Sequence, residues 1–166
     1  AALEKDKMFQ DAAIAAFDAN GDGYTDIYAA SGGYHDMQQD DALIEDRLYL
    51  NDSKGNFTRS HTIPPIRGSK SCIAVGDVNG DGRPDLFVGG RVVPGRYPDI
   101  PRSYILVNEG KGKFTDQTAT IAPFFSTLGM VADAVWADLD NDKGQELIIA
   151  GEWMPVQVYK KENGKL

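Results

Sequence analysis

Acidic side chains recur at matching positions in three loops of this 166-residue chain. The second loop lies in the stretch GDVNGDGRPDLFVGG (76–90), where three aspartates and one asparagine stand within nine residues. Two carboxylates about 5 Å apart repel each other by roughly 3 kcal/mol at an effective dielectric constant near 20. A cation among the oxygens would remove that repulsion. Because Gly, Asn and Asp form tight turns and an apolar run follows directly, we expect an ordered loop.

The acidic loop has three copies, and each is followed by a second motif. The copies begin at Asp18, Asp77 and Asp138, which are 59 and 61 residues apart. The second motif is a strand and turn pattern that occurs as LYLNDSKGNF (48–57), ILVNEGKGKF (105–114) and, more faintly, VQVYKKENGKL (156–166). Self-similarity at a fixed period is typical of repeat architectures. The sequence therefore predicts a repeat protein with a period of about 60 residues.

Each repeat contains the signals of four short antiparallel strands, which is the content of one propeller blade. In the second repeat we predict strands over 72–75, 85–88 and 103–107 and a fourth from Phe114, with a hairpin turn at NEGKG. The prediction is an all-β fold with about three β-propeller blades in one structural domain. The blades are placed at residues 1–62, 63–125 and 126–166, the last one incomplete. ALEKDKMF (2–9) is the one segment that suits a helix, and it equally suits a frayed tail.

The ligand chemistry of the loops favours calcium. Oxygen atoms at loop positions 1, 3, 5 and 9, without His or Cys, suit a hard cation. Calcium accepts six to eight oxygens in irregular cages, whereas magnesium demands an octahedron and keeps its waters. We predict two to three Ca²⁺ ions, with the backbone carbonyl at position 7 as a further ligand. The predicted ligands are Asp18, Asn20, Asp22, Tyr24, Asp26, Asp77, Asn79, Asp81, Arg83, Asp85, Asp138, Asp140, Asp142, Gly144 and Glu146.

Two features of the loops limit this interpretation. An EF-hand loop begins in the same way but needs a bidentate Glu at position 12, between two helices. Ala29, Val88 and Ile149 occupy that position in strand-like runs, so an EF-hand is excluded. The third loop has Lys143 in place of the turn glycine and Glu146 in place of Asp, so we expect its site to be the weakest or most distorted. The alternative for all three loops is a set of Asx-turns that cap strand ends without metal.

These loops and hairpins resemble the FG-GAP/VCBS repeat, the calcium-binding blade unit also found in integrin α-subunit propellers. GGRVVPGRYPDIPRSYILVNEG, LGMVADAVWADLD and AGEWMPVQVY are more specifically similar to the repeat region of ASPIC/UnbV-like secreted bacterial proteins. The resemblance extends from about Phe9 to Lys165. It implies a β-propeller with calcium between the first and second strands of each blade, and it implies no defined activity.

Length and charge limit the possible partners and compartments. Closed propellers typically have four to eight blades, so three blades suggest a partial propeller from a longer chain. Self-association through open blade edges or a short open array are the alternatives. The formal net charge is −8 without a basic stripe, which argues against nucleic acid. No membrane-spanning run occurs. Extracellular calcium modules often have Kd values of about 10⁻⁴ to 10⁻³ M, so we expect an extracellular, periplasmic or cell-surface protein.

The connections between second and third strands are the candidate binding segments, because loops on a rigid scaffold carry most binding sites. The first holds Tyr34, His35 and the acids Asp36, Asp40, Asp41, Glu45 and Asp46. His35 there is either a general base, a second metal ligand or part of a solvated acidic loop. The second connection suits an anionic or sugar ligand, unless its arginines pair with acids of neighbouring blades. Its candidate residues are Arg91, Arg96, Tyr97 and Arg102.

The sequence favours a binding or scaffold module for a protein or glycan ligand over an enzyme. The alternative is the propeller portion of a polysaccharide lyase or hydrolase, which would need a converging acid/base set. The candidates His35, Arg96 and Tyr97 are scattered, and neither G-x-S-x-G nor H-E-x-x-H occurs. Trp136 is predicted to be a core residue. Trp153, at a strand end, is also predicted to be core, with exposure to solvent or contact with the next blade as alternatives.

Overall fold

The computed structural model describes residues 2–166, and this part of the chain forms three antiparallel sheets. The first sheet contains β1 (Asp11–Phe17), β2 (Asp26–Ser31), β3 (Arg47–Asn51) and β4 (Phe57–Ser60). The second contains β5 (Ser69–Gly76), β6 (Asp85–Val92), β7 (Tyr104–Asn108) and β8 (Phe114–Asp116). The third contains β9 (Met130–Ala137), β10 (Glu146–Glu152) and β11 (Gln157–Tyr159). In every sheet each strand pairs with the next one along the chain, which is the meander of a propeller blade.

The three sheets stack through two apolar cores. Successive side chains of a strand point to opposite faces, so Leu86 and Val88 of β6 pack toward the first sheet while Phe87 packs toward the third. Both faces of the middle sheet are therefore buried, which explains the continuous apolar run at this point. The first core lies between the first and second sheets, and the second core lies between the second and third sheets. Phe125 and Leu147 are fully buried in the second core. Burying each side chain of this size stabilises the fold by about 1.5–3 kcal/mol.

The all-β prediction is confirmed, and the sheets are propeller-like blades. Within residues 2–166 they do not close into a ring. The first strands β1 and β9 both contact β5, so the three sheets follow one another in chain order. The assignment of residues 1–62, 63–125 and 126–166 to individual blades stays a prediction.

Helical structure in the described residues is short. The helices are α1 (Ala2–Lys5) and α2 (Thr118–Ile121), with 3-10 turns at Ala42–Ile44 and Pro123–Thr127. The helix allowed over 2–9 is therefore only one turn. The residues after this turn contact the first sheet instead. Asp6 accepts a 2.7 Å hydrogen bond from the Tyr49 hydroxyl, and Phe9 lies under the Arg47 guanidinium. Neither helix has the length and apolar character needed to cross a bilayer.

The two tryptophans have opposite environments. Trp136 is buried between the second and third sheets, as predicted, against Gly76, where an added Cβ would lie 2.7 Å from the indole. The core prediction for Trp153 is wrong, because 76% of this residue is exposed. Trp153 follows the last residue of β10 and has a φ of +57°.

Candidate metal centres

All three acidic loops join the first strand of a sheet to its second strand, so they lie at the same end of the three sheets. The acid at loop position 9 is in each case the first residue of the second strand. These residues are Asp26, Asp85 and Glu146, and all three are buried. The pairing register is also the same, because each one faces the last residue of the preceding strand: Phe17, Gly76 or Ala137.

The first acid of each of the first two loops organises the loop backbone. Asp18 accepts N–H bonds from Gly21 (2.7 Å), Asp22 (3.2 Å) and Gly23 (2.8 Å). Asp77 accepts the equivalent three bonds at the same distances in the second loop. Desolvation raises the pKa of Asp18, but the N–H groups, that of Gly23 first, outweigh it and hold this pKa below its ordinary value. The Asx-turns of the alternative interpretation are thus present, and they shape the loop in which the other oxygens lie.

Positions 4 and 6 of each loop have left-handed backbone. Gly21 and Gly23 have φ values of +81° and +86°, and the second loop has glycines at both positions with nearly the same values. The third loop has Asn141 at +61° and Lys143 at +74° instead. A residue with a Cβ is disfavoured in this region, so the third loop carries backbone strain that the first two avoid.

The buried aspartates Asp26 and Asp85 tie each loop to the third strand of its sheet. Their carboxylates accept backbone N–H bonds of 2.7–2.9 Å, from Ala19 and Asn51 for Asp26 and from Val78 and Asn108 for Asp85. Within residues 2–166, no Lys or Arg nitrogen lies within 4.0 Å of either carboxylate. Burial, together with the charges of Asp81 and Asp77, raises the pKa of Asp85 although its N–H donors lower it. Both loops thus contain a buried carboxylate without a counter-charge.

The third loop brings three acids together. One carboxylate oxygen from each of Asp138, Asp140 and Glu146 lies within 4.8 Å of the others, so this group could hold a metal ion. Glu146 accepts an N–H bond from Leu139 through Oε2, while its Oε1 is buried and has no hydrogen-bond partner among the described residues. In the first two loops Asn20 and Asn79 replace the acid at position 3, and no such group of three acids forms in the described part of the chain.

Lys160 supplies a positive charge to the third loop. Its Nζ lies 2.7 Å from Asp140 Oδ2, 2.6 Å from Asp142 Oδ2 and 3.8 Å from Glu146 Oε1. Hydrogen bonds to Asp140 and Asp142 raise the pKa of Lys160 above its ordinary value. A cation of the chain itself therefore stands among the acids that a metal would use. Sequence reasoning did not include this lysine.

The candidate ligand residues lie at the opposite end of the sheets. Arg91 and Tyr97 line one cleft there, whereas the other three do not line it. Arg96 pairs with Asp99 at 2.6 Å in its own loop, and Arg102 pairs with Asp116 at 2.6 Å in its own sheet. Arg91 alone pairs with an acid of a neighbouring sheet, Glu152. Tyr97 packs edge-on against Trp153, with ring centroids 5.7 Å apart.

The first connection is only partly the solvated acidic loop that the sequence suggested. Glu45 pairs with Arg59 and Arg67, and Asp46 is buried beside Lys70 at 3.0 Å. Asp46 is thus fully buried, and Glu45 is only partly solvated, with 22% of its side chain exposed. His35 is exposed, contacts Tyr34 with the rings tilted by 36° and their centroids 4.2 Å apart, and has no hydrogen-bond partner in residues 2–166.

The fold and the loops together define a protein built from blade-type repeats with acidic loops at one end. Residues 18–88 match the family model described as FG-GAP-like repeat. The match begins at Asp18, the first acid of the first loop, and ends within β6, so it includes both of the first two acidic loops. A search of curated proteins found no match. This stretch is therefore similar to an FG-GAP-like repeat, and the narrower similarity to ASPIC/UnbV-like proteins stays a prediction.

Proposed function

We propose that the chain is a calcium-binding FG-GAP-like repeat module that serves as a rigid scaffold for a protein or glycan ligand. The supporting observation is the buried acid that begins the second strand of every sheet. Asp26 and Asp85 have no basic neighbour, and Glu146 has a buried oxygen without a hydrogen-bond partner. A buried carboxylate without a counter-charge destabilises the fold. A divalent ion in each loop would compensate it.

Calcium is the proposed ion because the donors are all oxygens and include amide and backbone groups. In the first loop the ligands are the side chains of Asp18, Asn20, Asp22 and Asp26 with the carbonyl of Tyr24. In the second they are Asp77, Asn79, Asp81 and Asp85 with the carbonyl of Arg83. In the third they are Asp138, Asp140, Asp142 and Glu146 with the carbonyl of Gly144.

The test is a calcium titration of chelator-stripped protein by calorimetry, followed by melting in calcium and in magnesium. We expect at least two sites and a melting temperature that rises with calcium, since a ligand that binds only the folded state adds about 2.7 kcal/mol at 100 times its Kd. Asp81→Ala should remove one site, whereas Asp99→Ala, an exposed acid outside the loops, should remove none. Equal stabilisation by magnesium would contradict the choice of ion.

Calcium binding to the third loop requires that Lys160 leave the acids, so this site is proposed to be the weakest of the three. Lys160→Met should raise the calcium affinity of one site and leave the others unchanged. Lys54→Met is the matched control, because it removes the same charge from an exposed hairpin and should not alter the titration. If Lys160→Met gives the wild-type titration, the ammonium does not compete with calcium.

An exported location follows from the proposed sites. Loops with extracellular-type calcium affinities of about 10⁻⁴ to 10⁻³ M would stay largely empty in cytosol. The buried acids of the first two loops would then lack their counter-charge. Immunodetection in cell fractions should find the protein in the periplasm, at the cell surface or in the medium. Detection in the cytosol alone would contradict this proposal.

A binding role is proposed rather than catalysis because the candidate acid/base groups have separate surroundings. His35 contacts Tyr34, and Arg96 pairs with Asp99 in another loop. General acid–base catalysis needs such groups within hydrogen-bond reach of one substrate. Incubation with a panel of polysaccharides should give retention without new reducing ends or unsaturated products. Turnover of any of them would overturn this proposal.

A further inference from the structure

A cleft lies at the end of the sheets opposite to the acidic loops. It is lined by residues at or just beyond the ends of the second strands of all three sheets and by the first residue of β9, so no single repeat contains it. The cleft encloses about 350 Å³ and is lined by Tyr34, Arg91, Val92, Tyr97, Met130 and Glu152. That volume is within the range of small-molecule sites, which combine apolar walls with a few polar groups.

Three aromatic side chains at the cleft are more than half exposed. Tyr34 is 54% exposed, Tyr97 60% and Trp153 76%. Trp153 packs edge-on against Tyr97, which places its ring beside the cleft. Its φ of +57° is uncommon for a bulky residue, and backbone strain of this kind is found at ligand sites. The turn thus holds an indole away from the core, where burial would have been favourable.

The charged side chains that line the cleft are one donor and one acceptor, and they lie side by side. Arg91 pairs through Nη2 with Glu152 of the third sheet. Its Nη1 is buried and has no hydrogen-bond partner among the described residues. An unsatisfied buried donor is unfavourable. The ion pair itself is within reach of a ligand in the cleft, because the side chains of Arg91 and Glu152 are 36% and 44% exposed. Because the pair has no net charge, it does not select for a charged ligand.

We propose that this cleft binds a neutral oligosaccharide. A pyranose ring has an apolar C–H face, which suits the negative faces of Tyr97 and Trp153. Its neighbouring hydroxyls each donate and accept, which matches the adjacent guanidinium and carboxylate of Arg91 and Glu152. A polyproline segment also stacks on aromatic rings, but its residues lack backbone N–H groups, so it presents carbonyl acceptors and offers no backbone donor to Glu152. The inference specifies the ligand class within the proposed binding role and does not depend on calcium.

The test uses tryptophan fluorescence and calorimetry with cellohexaose, xylohexaose and mannohexaose as probes. Polygalacturonate and a decaproline peptide represent the acidic and the peptide alternatives. Trp136 is buried and Trp153 exposed, so a ligand-dependent change in fluorescence reports on the cleft. We expect at least one neutral hexaose to bind and Trp153→Ala to weaken it about tenfold or more. Phe124→Ala, which removes a partly exposed ring outside the cleft, should retain wild-type affinity.

Each outcome supports or overturns the inference. Binding of a neutral hexaose that is weakened by Trp153→Ala and by Arg91→Met supports it. Absence of binding to all three hexaoses, binding to decaproline or polygalacturonate alone, or wild-type affinity in Trp153→Ala overturns it. The same samples are titrated with calcium. If the protein binds the sugar but does not bind calcium, the proposed metal sites are contradicted and the cleft assignment is not affected.

Discussion

Lys70→Met should destabilise the protein strongly, because it removes half of a buried ion pair between the first two sheets. Lys70 lies in β5, and its Nζ is 3.0 Å from Oδ1 of Asp46 at the start of the first sheet's third strand. The two side chains are 2% and 0% exposed. Asp46 also accepts hydrogen bonds of 2.9 Å from the Tyr28 hydroxyl and the Ser31 N–H. Without Lys70 the carboxylate keeps only these two uncharged donors.

Breaking a buried ion pair by removal of one partner costs about 3–5 kcal/mol. In a chain of this size each kcal/mol lowers the melting temperature by about 2–4 °C, so we expect a drop of about 6–20 °C. Urea denaturation of the wild type, Lys70→Met, Asp46→Asn and the double variant measures the free energies of unfolding. Each single variant should lose about 3–5 kcal/mol, and the double variant should lose clearly less than their sum. Lys54→Met, on an exposed hairpin, should stay within about 0.5 kcal/mol of the wild type.

The loss in free energy of unfolding caused by Lys70→Met should also depend on pH. Burial raises the pKa of Asp46 although Lys70 and the Ser31 N–H lower it. A carboxyl group with a raised folded-state pKa binds its proton more tightly in the folded state, so its contribution to stability is lost as pH rises through that pKa. Removal of Lys70 raises this pKa further. The difference in free energy of unfolding between the variant and the wild type should therefore become smaller as the pH is lowered from 8 to 5. A loss below 1 kcal/mol, or a double variant equal to the sum, would refute the reasoning.

Three further predictions concern the strained loop, the cysteine and the second core. Lys143→Gly should stabilise the protein by about 1 kcal/mol because φ is +74° there, and Gly82→Ala, at φ +82°, should destabilise it by a similar amount. Burial raises the pKa of Cys72 from 9.0 to about 11, so the folded thiol keeps a proton that the unfolded thiol loses. Stability should fall by up to about 2.7 kcal/mol from pH 9 to 11 in the wild type, and this part of the fall should be missing in Cys72→Ala. Phe125→Ala should cost about 3–5 kcal/mol in urea denaturation. A destabilising Lys143→Gly, equal pH slopes with and without Cys72, or a loss below 1 kcal/mol for Phe125→Ala would contradict the respective argument.

The strands were predictable from the sequence wherever apolar side chains mark them. The second strand of the middle sheet was predicted over 85–88, but β6 continues to Val92 through Gly89 and Gly90. Propensity disfavours glycine in a strand. A Cβ would lie 2.8 Å from a Val131 methyl at position 89 and 2.5 Å from the Arg102 carbonyl oxygen at position 90. These glycines are required by neighbours distant in sequence, which local patterns do not record.

The acidic loops were predictable because their spacing is local, whereas Lys160 depends on strand register. In each sheet the residue at loop position 10 pairs with a residue of the third strand. The residue after that partner is Leu50, Val107 or Lys160, so these three positions are equivalent. The third copy of the hairpin motif is too faint to be aligned from the sequence alone, so it did not reveal that a lysine stands at a position that is apolar in the first two copies. Trp153 was misplaced for a related reason, because its exposure depends on where the neighbouring sheet ends.

The most direct test of the account is a crystal structure of the protein grown in ample calcium and measured at an X-ray wavelength where calcium scatters anomalously. The account predicts anomalous peaks in the loops that begin at Asp18 and Asp77, with carboxylate and carbonyl oxygens about 2.3–2.6 Å away. A third peak beside Asp138 is expected once Lys160 is replaced by methionine. Ordered water alone at Asp18 and Asp77 would contradict the central claim that divalent ions hold these loops.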